Sequence, residues 1–238
     1  MVYSELVDYV KISPNKTSPR NHVIDTITIH CVVGQVTVER LGEIFYRPSR
    51  KASSNYGIGF DGKIGLYVHE SDRSWCSSSS ANDNRAITIE VASDVEPPYS
   101  VTAAAYDSLI NLLVDICIRN DIKKLLWRND KNLIGCVEKQ NMTVHRWFAN
   151  TACPGEYLLS HMYDIASKVN ERLDYNMKIY DSLDEVPDYA YDTIKKLIDM
   201  GCIKGKGTSY DSEGYPSDLR LSEDMIRILV INDRAGLY

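Results

Sequence analysis

The amino-acid sequence predicts an α/β fold, in which helices flank a central mixed β-sheet, followed by a small and mainly helical C-terminal domain. Three observations lead to this prediction. Runs of β-branched residues with period-two alternation, typical of strands, occur at residues 23–33 and 85–93. An Asp-Gly pair at residues 61–62 separates two short apolar runs and indicates a β-hairpin. Amphipathic helical segments alternate with these strands, and this order is typical of layered α/β domains.

Composition and charge limit the classes of function. The chain has 238 residues, 44% hydrophobic and 25% charged, as in ordinary globular proteins. Its formal charge of -6 argues against a nucleic-acid partner, because such proteins usually carry a basic surface. The first sixteen residues lack the basic and apolar regions of a signal peptide, and no apolar run approaches the ~20 residues of a membrane span. We therefore expect synthesis in the cytoplasm without a signal peptide, and no membrane partner.

The elements of the first half are predicted in chain order. The sequence ELVDYV predicts a short helix over residues 5–10, and β-branched residues predict a central strand over 23–33. Helical spacing predicts a helix over 37–47, which ends because a proline follows. The hairpin is expected over 55–68, and alternation predicts another strand over 85–93.

Two helices are predicted in the second half of this region. Apolar residues at helical spacing span 101–121, with Thr102 as a suitable N-cap, and a second amphipathic segment spans 155–173. The serine run at 76–80 is too short for a low-complexity domain and is expected to form a loop. These elements complete the predicted α/β domain.

The domain organisation is predicted from a change in pattern near residue 174. A large domain is expected over residues 1–173, a linker over 174–182, and a small domain over 183–238. The small domain contains helical segments at 186–201 and 221–236, each closed by a glycine. Residues 174–238 hold seven of the sixteen tyrosines in the chain.

One stretch, TVHRWFANTACPG, places His145 and Cys153 eight positions apart. This spacing is too wide for one helix face and matches no zinc-finger pattern, so a core histidine and a buried thiol are an equally simple interpretation. His30 offers a third ligand, because strand alternation places it on the polar face with Thr26 and Thr28. A His2Cys set suits Zn²⁺ and leaves a fourth position for water, as in catalytic zinc sites.

A family resemblance decides between these interpretations. The segments TITIHCVV, NYGIGFDGKIGLYVHESDRSWC, NRAITIEVA and TVHRWFANTACPG occur in the order found in type-2 zinc N-acetylmuramoyl-L-alanine amidases. The resemblance covers about residues 20–173. This family includes phage endolysins and shares its fold with the peptidoglycan recognition proteins. The resemblance implies that His30, His145 and Cys153 bind zinc, and that zinc-activated water cleaves the amide between N-acetylmuramic acid and L-alanine.

The resemblance also implies two catalytic residues. Glu90 matches a glutamate that relatives use as acid and base, and alternation places it on the polar side of its strand with Thr88. A solvated strand glutamate is the alternative. Thr151 stands where many relatives carry a lysine that stabilises the oxyanion, although other members carry threonine. A neutral hydroxyl is a weaker donor than a lysine, so the contribution of Thr151 stays open.

Substrate contacts are expected from the hairpin region. Trp75 matches a tryptophan near the substrate groove, where an aromatic face suits a sugar ring, and packing of the loop is the alternative. Asn55, at the start of the hairpin, is predicted to bind substrate as well. Cys76 falls where relatives often have histidine and is given no role.

These observations predict a phage or prophage endolysin that digests the peptidoglycan of a Gram-positive wall. The C-terminal domain resembles small wall-binding modules distantly similar to S-layer-homology repeats, which implies that it binds wall carbohydrate. Without a signal peptide, release to the wall is expected through holin pores. Two alternatives remain, a peptidoglycan receptor without catalytic activity and a zinc peptidase of the stem peptide.

Overall fold

The computed structural model describes residues 3–238, except for the side chains of residues 175–177. The chain divides into two compact units, Met1–Asn170 and Glu171–Tyr238. The strands of the first unit, in chain order, are β1 Tyr9–Val10, β2 Lys16–Thr17, β3 Thr26–Val33, β4 Tyr56–Ile58, β5 Ile64–Leu66, β6 Arg73–Ser74, β7 Ala86–Ser93 and β8 Met142–Val144. Its helices are α1 Val38–Tyr46, α2 Ser80–Arg85 and α3 Ala103–Arg119, and α4 Gly155–Met177 begins in it.

The first unit is built on a mixed sheet of six strands in the order β1-β5-β4-β7-β3-β8. β4 and β5 form the antiparallel hairpin, and the remaining pairs are parallel. The central strands are β-branched and apolar, and Ile27, Ile29, Ile87 and Ile89 are fully buried. The predicted α/β class with a central mixed sheet is confirmed. A separate two-stranded ladder joins β2 and β6.

The predicted helices begin where side-chain caps stand. The Thr37 hydroxyl accepts a hydrogen bond from the backbone N–H of Arg40 at the start of α1. At the start of α3, Thr102 accepts one from Ala105, as its N-cap prediction required. The buried side of α3 consists of aliphatic residues at helical spacing, among them Leu109, Leu112, Leu113 and Ile116. In both helices a side-chain cap at the N-terminus and an apolar face at helical spacing favour the same element.

The first segment of the chain differs from its prediction. The helix expected over residues 5–10 is wrong, because Tyr9 and Val10 form β1, in register with Gly65 and Leu66 of β5. Six residues are too few to offset the cost of helix nucleation, whereas an edge strand gains hydrogen bonds from an existing sheet. The serine run also differs, because Ser79 caps α2 and the helix begins at the next residue.

The second unit has its own apolar core. It contains β9 Ile179–Tyr180, α5 Asp188–Asp199, β10 Leu221–Ser222 and α6 Glu223–Arg234, and β9 pairs with β10 antiparallel. Both predicted helices are present, and the Ser222 hydroxyl caps α6. Because α4 continues to Met177, the first residues of the expected linker are helical. The core is formed mainly by Tyr180, Leu183, Ala190, Ile194, Leu219, Leu221, Ile226 and Val230.

Across the described residues, no helix combines the length and the apolar composition that crossing a bilayer requires.

Candidate metal centre

Three predicted ligands meet at one edge of the sheet. One donor atom each from His30, His145 and Cys153 lies within 4.8 Å of the other two. The His30 Nδ1 atom is 3.4 Å from Cys153 Sγ, and the two imidazole rings have centroids 5.0 Å apart. His30 and Cys153 are 123 positions apart in the sequence, yet their donor atoms meet at one point. Convergence of three possible ligands favours a metal site over a core histidine and an unrelated buried thiol.

The sheet register explains where His30 and His145 stand. β3 continues three residues past His30. The pairing of β3 with β8 ends at Ile29 and Val144, and the chain then turns into a short 3-10 helix, His145–Trp147. The two histidines therefore follow paired residues of adjacent parallel strands and lie side by side.

The polar face of β3 is buried rather than open. Thr28 and His30 are fully buried, and Thr26 is 5% exposed. The Thr28 and Thr143 hydroxyls lie 2.8 Å apart, and the Asn82 amide of α2 bonds both of them. Each of these three side chains therefore has a hydrogen-bond partner, and the network joins the polar face of β3 to α2.

The third ligand, Cys153, lies on a loop that is held in place by hydrogen bonds from Arg146. The Arg146 guanidinium donates to the backbone carbonyls of Ala152 and Cys153 and to the Glu156 carboxylate. The Thr151 hydroxyl accepts a hydrogen bond from the Cys153 backbone N–H at 3.2 Å. Arg146 was missed by sequence reasoning, although its position next to a ligand histidine was the available signal.

The protonation states of the histidines suit metal binding. Burial, together with repulsion between the protonated forms of His30 and His145, lowers the pKa of His30 to about 3. Burial also lowers the pKa of His145, against an opposing effect of Asp83. Both imidazoles are therefore neutral at physiological pH, which is the form that binds metals. The Ser78 hydroxyl lies 3.2 Å from His145 Nε2 and leaves Nδ1 of that ring for a metal.

The three donors fit zinc. Tetrahedral Zn²⁺ with N and S ligands separates its donor atoms by about 3.3 to 3.6 Å, and the measured 3.4 Å between His30 and Cys153 lies in this range. His30 and His145 are neutral nitrogen donors, and Cys153 contributes sulfur, as in catalytic sites with one open position. Contact with Cys31, then burial and the Glu90 charge, raise the pKa of the Cys153 thiol, and a bound cation favours the thiolate.

Glu90 stands beside the ligands. It is paired in register with His30 of β3 and with Gly57 of β4, and its Oε1 atom lies 4.0 Å from His30 Nδ1. Burial, followed by the negative charge of Cys31, raises the pKa of Glu90 to about 8. A carboxyl group with a pKa near neutrality can both accept and donate a proton, which acid–base catalysis requires.

The predicted substrate residues have different surroundings. The Trp75 indole is partly exposed, and its N–H donates to the Thr17 hydroxyl at 2.9 Å, so its role in substrate binding stays a prediction. Asn55 is fully buried, and its amide bonds the Thr88 backbone and the carbonyls of Val68 and other loop residues. Asn55 therefore braces the hairpin against β7, and its role in substrate binding stays a prediction.

A second group of possible ligands adjoins the first. Donor atoms of His30, Cys76 and Glu90 also lie within 4.8 Å of one another. Sequence reasoning gave Cys76 no role. A separate pocket of 240 Å³ opens between α2 and the segment before His145. It is lined by polar groups such as Asn82 and Gln140.

Residues 20–156 match the family described as N-acetylmuramoyl-L-alanine amidase. The structure is similar to a mutant endolysin from Bacillus subtilis, with 16% identity and a TM-score of 0.50, covering 68% of this chain and 99% of that one. It is also similar to a selenomethionine derivative of AmpD, with 18% identity and a TM-score of 0.50, covering 69% and 96%. These structures share the fold. A comparison with curated protein sequences found no match.

Proposed function

The chain belongs to the N-acetylmuramoyl-L-alanine amidase family, and from this premise we propose that it is a zinc-dependent hydrolase of bacterial peptidoglycan. The bond cleaved is the amide that joins the lactyl group of N-acetylmuramic acid to L-alanine. One observation carries the proposal: His30, His145 and Cys153 converge within 4.8 Å beside the Glu90 carboxylate. A receptor without catalytic activity has no need of a thiol in this set.

Amide hydrolysis needs metal ligands and an acid–base group, and different residues of the chain are proposed for each role. When bound, Zn²⁺ supplies Lewis acidity, which makes water nucleophilic near neutral pH and polarises a carbonyl. His30, His145 and Cys153 would hold it. The Glu90 carboxylate accepts the proton of the attacking water and delivers it to the nitrogen of the leaving L-alanine. One proton therefore moves from water to the amine, and the bond between carbonyl carbon and nitrogen breaks.

Thr151 is proposed as a donor to the oxygen that becomes negative during the reaction. Its oxygen already accepts the Cys153 N–H, which fixes the hydroxyl next to a ligand and leaves its hydrogen for substrate. A neutral donor stabilises the transition state less than a lysine does. We therefore expect Thr151→Val to lower kcat modestly, by about tenfold, the effect of one neutral hydrogen bond.

The second unit is proposed to retain the enzyme on Gram-positive wall carbohydrate. It has a separate core, and it carries exposed tyrosines such as Tyr189, Tyr191 and Tyr210, whose rings suit sugar stacking. The role of an endolysin, made in the cytoplasm and released through holin pores, follows from the same proposal. Retention is tested by comparing wall pull-down of the full chain with that of residues 1–177, which keep α4 whole. Equal retention of both forms would remove the targeting role.

The hydrolytic activity is tested by digesting purified cell walls and assaying new chain ends. We expect free N-terminal alanine without new reducing sugars. Cys153→Ser should abolish digestion and lower zinc content, whereas Cys117→Ser, a buried thiol on α3, is the matched control and should retain both. Amino ends other than alanine would identify a stem-peptide peptidase. Wall binding without any new ends would identify a receptor.

A further inference from the structure

The Glu90 carboxylate has few partners for a buried acid. Its side chain is 17% exposed, and within the described residues its Oε2 atom has no hydrogen-bond partner. Oε1 lies 4.0 Å from His30 Nδ1, which is beyond hydrogen-bond distance, and 3.8 Å from the Cys76 thiol. The rotamer of the proposed acid–base group is therefore not fixed by charged donors of the kind that usually orient catalytic carboxylates.

Cys76 is itself held firmly. The Asp83 carboxylate of α2 is 2% exposed and accepts the backbone N–H of Cys76 at 3.0 Å. It also accepts the N–H of Ser77, at 3.1 and 3.2 Å to its two oxygens. Two consecutive amides anchored on one buried carboxylate fix the turn, and the thiol sulfur of Cys76 is thereby directed at Glu90.

The thiol is a donor in this setting. Burial, together with the negative charges of Glu90 and Asp83, raises the pKa of Cys76 well above its ordinary value, so the group is S–H at neutral pH. An S–H group is a weak donor, and a carboxyl oxygen of Glu90 can accept its hydrogen whether the carboxyl group is ionised or protonated.

We propose that Cys76 is a positioning residue, whose S–H donates to Glu90 Oε1 and holds the carboxylate toward the ligand set. The effect on catalysis rests on the proposed amidase function, in which Glu90 is the acid–base group. Cys76 acts through Glu90 and has no contact with substrate in this role. The chain of support runs from Asp83 through the turn at Cys76 to Glu90.

The kinetic experiment compares Cys76→Ala and Cys76→Ser in the full-length zinc-loaded protein. Cys117→Ala is the matched control, because Cys117 is a fully buried thiol on α3 outside the site. We expect Cys76→Ala to lower kcat about threefold to tenfold, the range of one neutral hydrogen bond, with KM and zinc content unchanged. Cys76→Ser should recover part of this loss, because a hydroxyl is the stronger donor but its shorter bond to Cβ places it farther from Glu90 Oε1.

Three kinetic outcomes would overturn the proposal. An unchanged kcat in Cys76→Ala would show that the thiol does not orient Glu90. A serine variant as slow as the alanine variant would show that Cys76 only fills space. A lower zinc content in Cys76→Ala would make Cys76 a metal ligand, as the group of His30, Cys76 and Glu90 allows.

A spectroscopic experiment needs no activity. The infrared S–H stretch absorbs in a window free of other protein bands, and hydrogen bonding lowers its frequency. Subtracting the spectrum of Cys76→Ala isolates the Cys76 band, and Glu90→Ala should return it to the frequency of an unbonded thiol. If walls are not digested but the band responds to Glu90→Ala, the amidase function fails and the contact stands. A band that is insensitive to Glu90→Ala refutes the positioning role, even in an active enzyme.

Discussion

Arg20 connects the loop that carries Trp75 and Cys76 to α2, and its loss is expected to destabilise the first unit. The guanidinium donates four hydrogen bonds of 2.6 to 3.1 Å to backbone carbonyls, those of Glu70, Asp72, Asn84 and Ala86. Sequence reasoning gave Arg20 no role. No other side chain among the described residues donates to so many carbonyls from separate segments. We therefore choose Arg20→Ala as the perturbation.

The magnitude follows from the carbonyls left without a donor. An unsatisfied, partly buried carbonyl costs about 1 kcal/mol, so four of them cost about 4 kcal/mol. Burial lowers the pKa of Arg20 only to about 10, so the guanidinium is charged at neutral pH. Folding therefore costs desolvation free energy for this charge, and Arg20→Ala removes that cost, which offsets part of the loss. We expect a net loss of about 2 to 3 kcal/mol in the free energy of unfolding, which corresponds to a change of between about 30-fold and about 150-fold in the equilibrium constant.

The assay is urea unfolding followed by tryptophan fluorescence, which reports the first unit because all three tryptophans lie in it. Arg20→Lys keeps the charge but cannot reach four carbonyls, so it should lose at least half as much stability as Arg20→Ala. Arg128→Ala, at an exposed arginine, is the matched control and should stay within about 0.5 kcal/mol of the parent. If Arg20→Ala is as stable as Arg128→Ala, the argument from unsatisfied carbonyls is refuted.

Three further predictions concern catalysis, capping and pH. Glu90→Gln should lower kcat about a hundredfold to ten-thousandfold without loss of zinc, as measured by alanine release and metal analysis; a smaller loss would remove Glu90 as the acid–base group. Ser222→Ala should destabilise α6 by about 1 kcal/mol in thermal unfolding followed by circular dichroism, whereas an unchanged melting curve would deny the cap its role. Hydrogen bonds from the Thr208 hydroxyl and backbone N–H lower the pKa of Asp218. Because the folded-state pKa lies below the unfolded one, the stability that Asp218 contributes is present above about pH 4 and is lost as the pH falls. Circular dichroism melts between pH 3 and 6 should show a weaker loss for Thr208→Val, and equal acid sensitivity in both proteins would contradict this linkage.

Local pattern predicted the elements well where propensity, capping and burial act together. The strand from Thr26 to Val33 and the helix capped by Thr102 were recognisable because their apolar spacing matches the period of the element. The short edge strand Met142–Val144 was not recognisable, since three residues carry no period, and it exists because β3 offers it a partner. The predicted helix at residues 5–10 failed for the same reason, because the hairpin strand β5 recruits this segment into the sheet.

The candidate site shows the same division. Residue types and a family pattern selected His30, His145, Cys153 and Glu90 from the sequence, because few residues bind zinc or move protons. Their convergence could not be read from the sequence, because it depends on the parallel register of three strands. Asp83 carries no local signal, because its partners are backbone groups across a turn, and Arg146 is marked only by its position next to a ligand histidine.

The sequence by itself determined the α/β class, most of the helix and strand positions, and the set of residues able to bind a metal. These properties follow from local propensity, periodicity and side-chain chemistry. The tertiary structure alone decided that Asn55 is a buried brace, that the polar face of β3 is closed by α2, and that the Cys76 thiol meets Glu90. Such contacts depend on how separate segments pack, and the free energy of that packing is not encoded in any one stretch of chain.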